Sequence, residues 1–376
     1  MKIDLIVGAR PNFMKAAPLY HILQKETATF EIRLVHTGQH YDEAMSDIFF
    51  NQLGLPEPDV YLGVGSGTHA EQSAAILVEY EKLLMDSPTD LVLVVGDVNS
   101  TMACALVAKK LHTNVGHIEA GLRSFDREMP EEINRIVTDS ISDYLFTTSH
   151  DANEHLTSEG HSEDQIFFVG NLMIDSLNNY IERADCTDLL ASLGVQAGEY
   201  GLITLHRPSN VDDPGTFTDI LEAFHDILQY LPLIFPAHPR TQKQITQLDT
   251  EGYFRSMRNF HLIDPVGYLE FIALEKHAKV ILTDSGGIQE ESTVLGVPCL
   301  TLRLNTERPV TITEGTNRLV KPESHAIVNA ITPIINGKRV EGGIPEKWDG
   351  HTAERITEVL KRIKSQQYAD VSHMHG

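Results

Sequence analysis

The feature that most constrains this chain is a repeated alternation of short apolar runs with longer helix-compatible segments. Apolar runs fall at residues 3–7, 32–36, 91–95, 115–118, 144–147 and 166–169. Helical candidates lie between them at 14–24, 44–53, 68–85, 100–111, 131–140 and 152–159. A short, nearly continuous apolar run suits a strand buried on both faces, as in a parallel sheet covered by helices. The rhythm resumes with runs at 200–204, 233–235, 261–263, 280–282 and 299–301. It predicts an α/β chain with two doubly wound parallel sheets. At 376 residues there is room for two domains, each with its own core. The expected division is 1–172 and 173–351, with an amphipathic segment at 352–366 packing back on the first domain. The tail QQYADVSHMHG has no periodicity and is expected to be loose; its two histidines are too few for a metal site.

Composition narrows the function. The hydrophobic share of 41% and charged share of 22% are those of a globular protein. Cys104, Cys186 and Cys299 have no metal-type spacing, and their odd number argues against a disulfide framework; a reducing cytoplasm fits. Met1-Lys2 leads straight into IDLIV, too short for a signal-peptide core, and no apolar run approaches a membrane span. A formal charge of −23 speaks against nucleic acid and anionic membranes as partners. An anionic substrate therefore needs a local cationic or backbone site.

Open α/β sheets bind ligands off the carboxyl ends of their strands, so the residues after each strand carry the chemistry. The stretch 279–293, KVILTDSGGIQEEST, is the clearest case. A buried strand, a Ser285-Gly286-Gly287 turn and a helix start would leave free N–H groups and a positive dipole end for a phosphate. The same glycines also serve turn geometry alone. Glu290 and Glu291 follow on the first turns, where a carboxylate can accept from ribose hydroxyls; a solvated acidic face is the other reading. Cations gather at strand ends in both halves: Arg10, Lys15, Arg123, His206, Arg240 and Arg308. Such a set in an acidic protein suggests a polyanion such as a diphosphate, although exposed Arg and Lys are ordinary surface residues. Among carboxylates, Asp97 follows Gly96 at a helix start, Glu119 ends an apolar strand and Glu131 opens a helix. Helix capping accounts for Asp97 and Glu131 equally well. Glu131, Asn134 and Arg135 are expected on one helical face. The three acids could share general acid/base work or hold a divalent metal, and no ligand-type spacing favours the metal.

Eight segments carry a resemblance. GARPNFMKAAPL, TGQHYDEAM, VVGDVNSTMA, HIEAGLRS, MPEEINR, TLHRPSNVDDP, LTDSGGIQEES and NTERPVTITEGTN, in order from residue 8 to 317, closely resemble the non-hydrolysing UDP-N-acetylglucosamine 2-epimerases. The resemblance implies a GT-B-like fold, two Rossmann-like domains facing across a cleft, and a homodimer. It implies interconversion of UDP-GlcNAc and UDP-ManNAc with no cofactor and no metal. Ser285, Gly286, Gly287 and Arg10 would hold the diphosphate, Glu291 the ribose, Phe271 the uracil side and Arg308 the nucleotide. Phe271 is equally readable as a core aromatic. Asp97, Glu119 and Glu131 match the family's catalytic carboxylates, His206 its histidine near the leaving group and Lys15 its lysine.

Many bacterial relatives also hold a regulatory UDP-GlcNAc. Here residues 40–47 read HYDEAMSD and Ala75 stands where the family places an Arg, so activation by substrate is not implied. The HYDEAM and GSGTHAEQ segments are similar to the subgroup that epimerises UDP-2,3-diacetamido-glucuronic acid, which leaves two candidate substrates.

Overall fold

The computed structural model describes residues 1–38, 53–248 and 257–374, with the backbone alone at 10, 11 and 367–374. The expected helix at 44–53 and the segment 40–47 lie outside the described residues, apart from Leu53. Two compact units result: Met1–Asn179 with Glu346–Gly376, and Tyr180–Pro345.

In the first unit the described strands are β1 (Lys2–Val7), β2 (Glu31–His36), β3 (Val60–Tyr61), β4 (Leu91–Val95), β5 (Asn114–Ala120), β6 (Tyr144–Thr147) and β7 (Ile166–Phe168). They pair in the order β3-β2-β1-β4-β5-β6-β7, all parallel. The LVLVV run of β4 is buried at every position, as a strand covered on both faces must be. One face packs Ile76, Tyr80 and Leu84 of helix His69–Asp86 against Val92, Val94 and Val107. That helix starts at a capping box, in which Thr68 Oγ1 accepts from Glu71 N (3.3 Å) and Glu71 Oε2 accepts from Thr68 N (3.0 Å). The C-terminal segment belongs to this unit. Buried Trp348 donates its indole N–H to Thr148 O (2.9 Å), Ala353 N donates to Asp175 (2.8 Å), and helix Thr352–Met374 packs on helix Arg10–Leu23. That helix includes residues 366–374, expected to be loose. No Gly or Pro interrupts them, so nothing in the chain stops the helix there.

The second unit repeats the topology. Its described strands are β8 (Gly201–Thr204), β9 (Leu233–Pro236), β10 (Phe260–Ile263), β11 (Val280–Thr283), β12 (Cys299–Leu302) and β13 (Asn317–Val320), paired β10-β9-β8-β11-β12-β13, all parallel. Phe217, Ile220, Phe224 and Ile227 of helix Pro214–Ile227 meet Ile327 and Ile331 of helix Ser324–Ile335 over one face of the sheet. Strands β3 and β13 were not expected. The first is two residues long, and in the second Asn317 and Arg318 break the apolar run. Strand β5 also runs past the expected end at 118. The register to β6 shifts between Ile118 and Ala120, and Glu119 sits in that irregularity with φ of +73°. A side-chain-bearing residue rarely adopts this backbone region, and bulges of this kind re-aim side chains at sheet ends.

Candidate active site

Each sheet has one place where strand order reverses: between β1 and β4 in the first unit, and between β8 and β11 in the second. Neighbouring connections there leave to opposite faces, which opens a crevice beyond the carboxyl ends of the strands. Most of the candidate side chains lie at these two points.

At the first, Asn12 ties the two loops together. Its Oδ1 accepts N–H from Gly8 (3.2 Å) and Ala9 (3.1 Å), and its Nδ2 donates to Val95 O (2.9 Å). Three residues on, Lys15 reaches down from helix Arg10–Leu23 to an ion pair with Glu119, both ends nearly sealed from water. Gly96 forms the floor beside them. Its φ is +68°, and a Cβ there would lie 3.3 Å from Glu119 Oε2 and 3.7 Å from Lys15 Nζ. Asp97 is half-buried and bonded to Arg135, and its carbonyl accepts from Asn134 Nδ2 (2.8 Å). Arg135 is also held by Glu132 (2.7 Å), whose carboxylate accepts the N–H groups of Ser124 (2.9 Å) and Phe125 (2.8 Å). Below the floor, His117 Nε2 donates to Gly96 O (2.8 Å), since a carbonyl can only accept, and Nδ1 lies 2.6 Å from buried Asp139. Burial favours a neutral Asp139, but His117 and Arg123 outweigh it and keep the carboxyl below its usual range.

The structure therefore brings Lys15, Glu119 and Asp97 around Gly96. Glu131 stands exposed on the first turn of helix Pro130–Ile141; the acid of that turn that enters the buried network is Glu132, beside Asn134 and Arg135. The side chain of Arg10 lies outside the described residues. Arg123 is buried between Asp139 (2.7 Å) and Glu159 (2.6 Å), a structural position rather than the substrate-facing one expected.

At the second point, Asp284 plays the part of Asn12. Fully buried at the end of β11, it accepts N–H from His206 (3.2 Å) and Arg207 (3.0 Å) and the Asn210 amide (3.1 Å), joining the β8 and β11 loops. Burial pushes its pKa up, but His206 and these N–H groups more than offset that and hold it low. His206 itself is exposed, its Nδ1 3.1 Å from Asp284 Oδ1. Helix Gly286–Leu295 begins immediately afterwards, with Ser285, Gly286 and Gly287 half-buried and no side chain capping the first turn. A Cβ at Gly286 would run into Arg308 Cζ at 2.8 Å and Glu307 Oε1 at 2.9 Å, so the turn can approach those residues only without a side chain.

The acidic pair is not a solvated face. Glu290 and Glu291 are both buried, Glu290 accepting from Arg308 Nε (2.7 Å) and Glu291 from Tyr268 Oη (2.9 Å). Their helix runs under β12 and β13 rather than over open surface, which no local sequence pattern shows. Arg308 also pairs with Glu307, which Arg303 holds from the other side (2.8 Å). Burial opposes ionisation of Glu307, but Arg308, Arg303 and Arg207 together keep its pKa far below the usual value. Phe271 is half-buried against the apolar cluster of Leu202, Ile234 and Ile281. Arg240 is exposed on Asp212 (2.6 Å). Of the cations expected to gather for a polyanion, Lys15, Arg123, Arg240 and Arg308 each face a carboxylate. What the second site offers an anion is chiefly helix-start N–H groups. Among the described residues no three His, Cys, Asp or Glu side chains group as metal ligands, and no helix is long and apolar enough to cross a membrane.

The family model for UDP-N-acetylglucosamine 2-epimerase matches residues 23–361. The chain belongs to this family. It is accordingly an enzyme of the epimerase type, with the GT-B-like fold of two Rossmann-like domains. The UDP-N-acetylglucosamine 2-epimerase of Methanocaldococcus jannaschii is 43% identical over 96% of this chain and 99% of that one. The UDP-2,3-diacetamido-2,3-dideoxy-D-glucuronate 2-epimerase of Pseudomonas aeruginosa is 42% identical over 96% of this chain and all of its own length. The crystal structure of the Methanocaldococcus jannaschii epimerase in complex with UDP-GlcNAc and UDP superposes with a TM-score of 0.87, covering 96% of this chain and 100% of that one.

Proposed function

We propose that this enzyme interconverts UDP-GlcNAc and UDP-ManNAc by inverting C2 of the sugar. The observation that carries the reading is the buried Lys15–Glu119 pair beside Gly96 and Asp97 at the β1/β4 reversal. Acid/base groups held this rigidly suit removal of a poorly acidic proton. The proton on C2 of an acetamido sugar has no neighbouring carbonyl, so no enolate can form. Its removal has to accompany cleavage of the C1–O bond to the diphosphate. Anti elimination leaves 2-acetamidoglucal and UDP, with the C2 proton on an enzyme carboxylate. Re-addition returns UDP oxygen to C1 and delivers a proton to the other face of C2. Two acid/base groups are needed, drawn from Asp97, Glu119 and Glu131, with Lys15 setting the charge around Glu119.

The nucleotide falls to the second domain. The Ser285 N–H is taken by Thr283 Oγ1 (3.0 Å), so the N–H groups of Gly286 and Gly287, with the Ser285 side chain, Arg10 and His206 beside them, would stabilise charge developing on the departing diphosphate. Glu291 would take the ribose, and Phe271 and Arg308 the remainder of the nucleotide. We place the enzyme in the cytoplasm as a homodimer, supplying nucleotide sugar for surface polysaccharide without a cofactor. A second reading has the same chemistry acting on the diacetamido-glucuronate nucleotide, favoured by the near-equal identity to the Pseudomonas aeruginosa relative.

The test is turnover of both sugar nucleotides side by side in deuterated water. Epimerisation with deuterium entering C2 of substrate and product supports the mechanism, and the faster substrate settles the choice. Release of free sugar and UDP as main products would make the enzyme a hydrolase instead.

A further inference from the structure

One buried acid has no part in this chemistry and has company that an ordinary glutamate avoids. Glu275, near the end of helix Tyr268–His277, is wholly buried, and no N–H or O–H donor reaches either of its carboxylate oxygens. Its carboxyl lies instead in hydrogen-bonding contact with the carboxyl of Glu291, which also accepts from Tyr268 Oη (2.9 Å). Among the described residues, no cation faces Glu275. Tyr268, Tyr200 and Cys299 face it, and each is a buried neutral acid whose pKa burial raises first. Tyr200 Oη is already spent on Leu274 O (2.6 Å). Two carboxyls can touch in such surroundings only if one keeps its proton. Glu291 has a donor in Tyr268 and Glu275 has none, so the proton of the pair falls to Glu275, whose pKa burial, and then the adjacent Glu291, push up.

We propose that Glu275 is a positioning residue for nucleotide binding: as a neutral acid it donates its O–H to Glu291, fixing that carboxylate for the ribose hydroxyls. The proposal rests on the assignment of Glu291 to the ribose. Glu291 then carries two fixed donors, Tyr268 and Glu275, which settle the rotamer of this buried side chain. An ionised carboxylate has about four acceptor positions, so fixed donors and a ligand hydroxyl can be served by the same group. Neither Gln nor Met at position 275 would alter the apolar shape greatly, but only Gln retains a donor.

The experiment compares UDP dissociation constants for the wild type, Glu275→Gln, Glu275→Met and Glu291→Gln, with kcat and KM measured alongside. Glu275→Gln should bind UDP within about threefold of the wild type. Glu275→Met should bind it about tenfold more weakly, the loss of one hydrogen bond to a charged group. In Glu275→Met the effect should fall on KM, with kcat little changed. Equal behaviour of the Gln and Met variants would overturn the donor role. If Glu291→Gln binds UDP as tightly as wild type, the ribose assignment itself fails; if only Glu291→Gln weakens binding, that assignment stands and the present proposal falls. Infrared spectroscopy of the wild type needs no variant to fold. At about pH 8, where ordinary glutamate is ionised, it should show the carbonyl band of an un-ionised carboxylic acid, shifted in deuterated water. Absence of that band would also overturn the proposal.

Discussion

The two strand-order reversals share a topology and differ in chemistry. At the first, between β1 and β4, charged side chains neutralise one another in pairs: Lys15 with Glu119, Asp97 with Arg135. At the second, between β8 and β11, Arg308 is paired with Glu290 and Glu307, and no side chain caps the start of helix Gly286–Leu295. In each, one buried amide or carboxylate, Asn12 or Asp284, binds the neighbouring loops together. On the roles proposed above, one scaffold supplies either movable protons or fixed dipoles, depending on which side chains occupy the loop ends.

The sharpest way to break the comparison is to remove protons from the first site alone. Asp97→Asn and Glu119→Gln should each reduce deuterium exchange at C2 by about 10²–10⁴-fold, the usual worth of a positioned acid or base. UDP affinity should stay within about threefold. Loss of binding without loss of exchange, measured by calorimetry and mass spectrometry on the same preparations, would reverse the roles given to the two domains.

At the second site the largest effect should be on folding. Arg308→Met leaves Glu290 and Glu307 buried without the cation between them. Breaking a buried pair from one side costs about 3–5 kcal/mol. Thermal unfolding of the second domain should drop accordingly, and UDP should recover only part of the loss. A variant as stable as wild type would mean that these carboxylates take up protons freely. Gly286→Ala is the milder and more local probe. Its Cβ would press on Arg308 and Glu307, so the helix start must shift and UDP affinity should fall about 10–100-fold, or about 1.4–2.8 kcal/mol.

The sequence already held the scaffold, because buried parallel strands write themselves as apolar runs: β4 and β6 fall at the expected residues, and the Ser285–Gly287 turn lies where its glycines put it. It held less of the charge balance. Which carboxylate sits opposite Arg308 depends on how residues 286–295 pack beneath 305–310, a tertiary fact with no local period. The same limit hid Asp284 and Glu275. One follows a strand and the other ends a helix, both ordinary places for an acid, and only packing shows that the first collects three N–H donors and the second none. Glu132 was legible as the neighbour of Glu131, but a helix start offers both residues the same favourable dipole. The choice between them comes from the Ser124–Phe125 turn that Glu132 caps.

The smallest expected effect concerns the acid pair of the second domain, and its sign can be worked out. The folded-state pKa of Glu275 is raised, so the folded protein binds a proton there that the unfolded chain releases above about 4.3. That contribution is therefore whole below about pH 4.3 and drains away as pH rises toward the folded pKa, by up to about 1.4 kcal/mol per pH unit for one proton. Glu275→Gln has no proton to take up. Its stability curve should diverge upward from that of the wild type between about pH 5 and 7, where the other groups titrate alike in both proteins. Parallel curves for Glu275→Gln and wild type in denaturant titrations would show that Glu275 is ionised in the folded protein, and would remove the contrast between a first domain of compensated charges and a second that stores a neutral acid.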